Sequence, residues 1–120
     1  MDSKKLNQLL IIEFPELLDT YQEEIAWQEG NETGSHIIYG DVFYPYIERS
    51  ISEKNVNAIK HIFEFIEKTL NSNDQYSKEV IAFSILERLC DNRKSLNWTK
   101  RYMGDKTIEI IQSIKKYIEN

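Results

Sequence analysis

Chain breakers are scarce in this sequence. Its 120 residues include four glycines and two prolines, and most of these fall where a helix would end. Between them, apolar residues return at helical spacing. Val56, Ile59, Ile62, Phe63, Ile66 and Leu70 form one stripe, which predicts a helix from Glu53 to Asn71 with Ser52 as its cap. Asn71-Ser72-Asn73-Asp74 then breaks the chain. From Asp74 to Cys90 the apolar residues Val80, Ile81, Ala82, Phe83, Ile85, Leu86 and Leu89 surround most of the helix. An element apolar on nearly every side is expected at the centre, with Phe83 in the core.

The remaining chain also reads as helical. Ser3 is expected to cap a first helix reaching Phe14, with Leu6, Leu9 and Leu10 inward. Pro15 stops it or restarts it as a second helix over Glu16 to Glu29, with Leu17, Leu18, Tyr21 and Ile25 on one face. Residues 30–35 form the clear loop. His36 to Tyr39 reads as a short strand or a buried lead-in. Gly40-Asp41 reads as a turn, with Asp41 capping a helix from Val42 to Ile51 and Pro45 in its first turn. A short helix holds Leu96, Trp98 and Tyr102 and ends at Gly104. The last begins at Asp105 or Lys106 with Ile108, Ile111, Ile114 and Ile118 inward. The expectation is therefore all-α: a single compact domain over residues 1–120, of five or six helices, built as an antiparallel bundle or an array of α-hairpins.

Charge is distributed less evenly than the apolar residues. From Leu6 to Glu48 there is no lysine or arginine but nine carboxylates. Residues 1–41 hold nine acids and two bases, net -7; the rest hold 11 acids and 13 bases, net +2. A concentrated negative field repels nucleic acid and anionic lipid and attracts basic protein surfaces. Trp27 lies four residues after Glu23 and eleven after Glu16, so a continuous helix places an aromatic anchor on an acidic face. The alternative is that Trp27 turns under to cover the 30–35 loop. The expected partner-binding set is Glu16, Asp19, Glu23, Glu24, Trp27, Glu29 and Glu32, with Tyr39 or Tyr44 as further apolar anchors.

Little else points to chemistry. His61 and Glu64 stand one turn apart, with Glu67 one turn further, but a metal site needs more ligands than a solvated helix face offers. Cys90 sits in the most apolar segment, where a thiol packs as a small hydrophobe and lacks the activation that His36 or His61 would have to supply. There is no phosphate loop and no nucleophile elbow. Trp98 and Tyr102 beside Lys94, Lys100 and Arg101 make too short a run for nucleic-acid stacking in an acidic protein. No enzyme activity, cofactor or metal is expected. A single cysteine fits a reducing compartment, and Leu9-Leu10-Ile11-Ile12 is too short for a signal peptide or a membrane span, so the expected location is cytoplasmic.

Four segments carry a resemblance: His36 through Tyr46 with its Gly40-Asp41 and Pro45, Ile62 to Glu67, Val80 to Leu89, and Arg101 to Thr107. Together they resemble a family of small bacterial helical proteins of unassigned function whose members look like immunity proteins. Those are the cytoplasmic antidotes encoded beside polymorphic and contact-dependent growth-inhibition toxins. The resemblance implies a cognate toxin as partner, no catalytic residue, and a structural role for the His36 to Pro45 segment as turn, cap and helix start. The acidic residues 13–32 lie mostly outside it, as a variable toxin-facing surface would. An acidic adaptor domain that recognises a basic segment of another protein remains the second reading.

Overall fold

The computed structural model describes residues 1–119, with side chains described through Tyr117. Among these residues every regular element is helical. There are seven helices: α1 Ser3–Glu13, α2 Leu18–Trp27, α3 over residues 35–52, α4 Val56–Leu70, α5 over residues 75–90, α6 Arg93–Thr99 and α7 Asp105–Glu119. Single 3-10 turns at Pro15–Leu17, Gly30–Glu32 and Lys100–Tyr102 fill three of the connections. The count exceeds the expected five or six, and the short helix expected around Leu96 and Trp98 is α6, which gives way at Lys100 to the 3-10 turn instead of running to Gly104. The Asn92 side chain starts α6 by accepting from the Ser95 N–H at 3.2 Å.

Side-chain caps also move two other starts. Asp2, one residue before Ser3, caps α1 by accepting from the Lys5 N–H at 2.9 Å. The Ser3 hydroxyl instead meets Tyr76 Oη at 2.7 Å and accepts from the Ser35 N–H at 3.2 Å. Asn55, not Ser52, caps α4, accepting from the Ala58 N–H at 3.2 Å. Ser52 still belongs to α3, which closes on Lys54 in the left-handed region at φ 51. The Lys54 N–H donates to Ile51 O at 3.0 Å and the Asn55 N–H to Ser50 O at 2.9 Å, the paired bonds of a Schellman closure.

The largest departure from expectation is α3. Residues 36–39 are neither a strand nor a lead-in, and Gly40-Asp41 is not a turn; the helix runs through all of them. Pro45 is tolerated because Tyr39–Phe43 form a π turn, in which the Tyr44 N–H donates to Tyr39 O five residues back. The next N–H in that register would be Pro45's, which does not exist. Gly40 O is thus left without a helical donor, and Arg88 Nη1 from α5 donates to it at 2.6 Å. The same guanidinium lies 4.3 Å from the centre of the Tyr44 ring. Helix α5 carries a π turn of its own, Ala82–Leu86, where the Glu87 N–H donates to Ala82 O. The two π turns pack against each other, and beside them His36 Nδ1 is hydrogen-bonded to Ser84 Oγ at 2.9 Å.

One hydrophobic cluster draws on six of the seven helices, and Tyr21 and Ile25 of α2 pack against it half-buried. Helix α4 packs on α3, α5 and α7, and α5 packs on α3, α4, α6 and α7. Phe83, expected in the core, is 59% exposed. The π turn inserts a residue into α5, so the apolar phase shifts and Phe83 rotates outward while Ile85, Leu86 and Leu89 remain buried. Ile111 is buried and Ile108 and Ile114 are half-buried; the side chain of Ile118 lies outside the described residues. Glu67, half-buried on α4, fastens the first turn of α7. Its Oε1 accepts from the Thr107 N–H at 2.9 Å and hydroxyl at 2.8 Å, and its Oε2 from the Lys106 N–H and the Asn71 amide, both at 3.0 Å. A Cβ on Gly104 would stand 2.3 Å from the Glu67 carboxyl carbon, so residue 104 is glycine to let this carboxylate through.

Candidate functional site

Helix α2 has no buried residue. Leu17 before it is buried, Tyr21 and Ile25 are half-buried, and Leu18, expected inward, is exposed, because the 3-10 turn at Pro15–Leu17 sets a different phase. Asp19, Glu23 and Trp27 are all exposed, and their four-residue spacing lays them along one stripe of the helix. Trp27 is 72% exposed, so it does not cover the loop that follows.

That loop is held without Trp27. Gly30 takes φ 60, which glycine adopts at little cost. The Thr33 hydroxyl donates to Gly30 O at 2.7 Å and accepts from the Glu29 N–H at 3.2 Å. Thr33 O accepts from the buried Asn7 amide of α1 at 2.9 Å, and Asn7 Oδ1 in turn accepts from the Ser35 hydroxyl at 2.8 Å. The exposed Glu29 and Glu32 therefore project from a turn tied to the body of the protein.

Two carboxylates of the expected set are partly occupied. Glu16 accepts from the Tyr46 hydroxyl at 2.6 Å. Burial and then this bond push the Tyr46 phenol up to about 12. Glu16 thus lies off the Asp19–Glu23–Trp27 stripe and pins the start of α2 to α3. Glu24 is half-buried and accepts from the Gln28 amide at 2.9 Å. None of Glu16, Asp19, Glu23, Glu24, Glu29 and Glu32 forms an ion pair among the described residues. The negative field of this end is consequently uncompensated from within.

The further anchors expected at Tyr39 and Tyr44 are not on the surface. They are 0% and 4% exposed, and Tyr39 donates to Leu6 O at 2.8 Å while burial raises its phenol well above the ordinary range. Ile12, 74% exposed on α1, is an apolar surface residue that the sequence reading passed over. Its signal was the run Leu9-Leu10-Ile11-Ile12, since four successive apolar residues on a helix cannot all face inward.

The other candidates resolve into structure. His61 Nε2 meets Glu13 Oε2 at 3.0 Å and its ring stacks on Phe14 at 4.3 Å. It is therefore neither a ligand paired with Glu64 nor a freely solvated side chain. Glu67 faces α7. Cys90 is half-buried, burial pushes its thiol up, and both histidines are engaged elsewhere. Among the described residues no group of three or more His, Cys, Asp or Glu is placed to hold a metal, and no helix is long and apolar enough to cross a membrane.

No curated protein and no solved structure matches the chain. Residues 7–119 match the model of a domain of unknown function, DUF7674, and the chain belongs to that family.

Proposed function

We propose that this protein is an immunity protein that binds and neutralises a cognate bacterial toxin domain bearing a basic surface, with α2 and the Gly30–Glu32 turn as the docking face. The observation that carries the reading is Trp27, a large apolar side chain left 72% exposed near carboxylates that form no ion pair among the described residues. A tryptophan ringed by polar groups is the composition of an interface hot spot. Asp19 and Glu23 on its stripe, with Glu24, Glu29 and Glu32 around it, supply a field that accelerates encounter with a cationic surface. Where the toxin is a nuclease, its substrate site must be basic to hold phosphate, and carboxylates seated there exclude nucleic acid by mimicking its charge. The partner is a protein; no cofactor, membrane or nucleic acid takes part. An acidic adaptor domain recognising a basic segment of another protein would use the same face.

Co-expression with the toxin domain encoded beside it tests the proposal. The wild-type protein should restore growth. Asp19→Lys with Glu23→Lys should slow association about tenfold and weaken its salt dependence. Trp27→Ala should chiefly speed dissociation, raising Kd by about 30-fold for a 2 kcal/mol anchor. Growth arrest despite abundant folded wild-type protein would overturn the toxin reading.

A further inference from the structure

The surface opposite in charge to α2 lies where α3 ends. A groove of about 350 Å³ is lined by Ile51, Ser52 and Lys54 from the α3 corner and by Lys94, Ser95 and Trp98 from α6. Its apolar members are half-buried Ile51 and Trp98, the latter 5.6 Å from the Tyr102 ring. Its cations are Lys54 and Lys94, both exposed and neither in an ion pair among the described residues. Lys54 holds its place at φ 51, a conformation that favours glycine or asparagine. The paired Schellman bonds of this corner set the long cation at the groove's rim.

Residues 39–43 of α3 pack against α2, and Ile51 lies some ten residues further on, roughly 15 Å along the same helix. One molecule thus displays an uncompensated acidic stripe ending in an exposed indole, and an uncompensated cationic groove with an aromatic floor. The two faces match in charge and in apolar content. We propose that the protein associates head-to-tail, the Asp19–Glu23–Trp27 stripe of one copy docking in the Lys54–Lys94–Trp98 groove of the next. Such an interface is heterologous and can extend from copy to copy. It rests on charge and apolar content, not on the toxin reading, although a toxin docking on α2 would compete with it.

Sedimentation velocity over a concentration series tests it. Wild-type protein at about 20 mM salt should rise above its monomer mass of 14.3 kDa as its concentration approaches about 1 mM, and return to it at about 300 mM salt. Lys54→Glu with Lys94→Glu, and separately Asp19→Lys with Glu23→Lys, should each raise the midpoint concentration by about tenfold or more. All four positions are exposed, and circular dichroism should report unchanged helicity. The decisive sample is an equal mixture of the acidic-groove variant and the basic-stripe variant. In the mixture, the native groove of one meets the native stripe of the other and the two reversed faces also match, so association should return. Wild type that stays monomeric at about 1 mM and low salt would overturn the proposal, as would variants that associate like wild type. A monomeric wild type that binds polyglutamate through Lys54 and Lys94 would assign the groove to an acidic segment of another protein.

Discussion

Helices α2 and α4 make opposite uses of similar residues. Helix α4 buries Ile59, Ile62, Phe63, Phe65, Ile66 and Leu70, packs on α3, α5 and α7, and meets α1 through His61 and Glu13. Helix α2 buries none of its ten residues. It is held by one half-buried edge, Tyr21 and Ile25, and by what flanks it: buried Leu17, the Tyr46–Glu16 bond, and the Thr33 turn tied to Asn7. A helix that packs on several neighbours can change few side chains without cost, whereas one held at its ends and along one edge leaves its outward face free for recognition. The acidic stripe lies on the helix that the core constrains least.

The contrast breaks first, if at all, at the core. Phe63→Ala should cost about 3–5 kcal/mol in denaturant unfolding, whereas Phe83→Ala, on a surface position of α5, should cost less than about 1 kcal/mol. Equal losses would mean that α5 does not carry the shifted phase. Next comes the α7 clamp. Gly104→Ala should cost about 1–3 kcal/mol, because a methyl there displaces the Glu67 carboxylate and strands the N–H groups it accepts from. Burial alone would raise the Glu67 carboxyl, but the hydrogen bonds from Thr107, Lys106 and Asn71 outweigh it and hold the group below its ordinary value. Its stabilising effect is thus full above the unfolded-state carboxylate range and fades as the pH falls through the depressed native value. Thermal melts from neutral pH to strong acid should show wild type losing part of its advantage over Glu67→Gln on the acid side. The smallest expected effect is a gain: Lys54→Gly should stabilise by about 0.5–1 kcal/mol by removing the left-handed strain, and should at the same time weaken self-association.

The helices that the sequence displayed best are those whose order is local. The Ile59 to Leu70 stripe is one uninterrupted phase, and α4 buries it; only Val56, read into the same stripe, is exposed, at the helix's first turn. The readings that failed depended on partners distant in sequence. Gly40-Asp41 has turn chemistry, but Arg88, 48 residues on, satisfies the carbonyl that Pro45 leaves open, and the helix continues. Phe83 has the spacing of a core residue only if α5 keeps one period, and its π turn breaks that period. Tyr39 and Tyr44 are polar-tipped aromatics suited to an interface, yet Leu6 O and Arg88 give them inward partners. At the candidate site the acidic residues and Trp27 were legible as composition. Glu16 was not separable from them, because its bond to Tyr46 crosses 30 residues of chain.

The central claim is that the Asp19–Glu23–Trp27 stripe serves recognition and not folding. It is tested most directly by measuring, on one triple variant (Asp19→Lys, Glu23→Lys, Trp27→Ala), both the unfolding free energy and the Kd for the cognate toxin domain. The account predicts stability within about 0.5 kcal/mol of wild type and a Kd raised by at least about 100-fold, combining slower association with loss of the anchor. A triple variant that binds the toxin domain as tightly as wild type would contradict it.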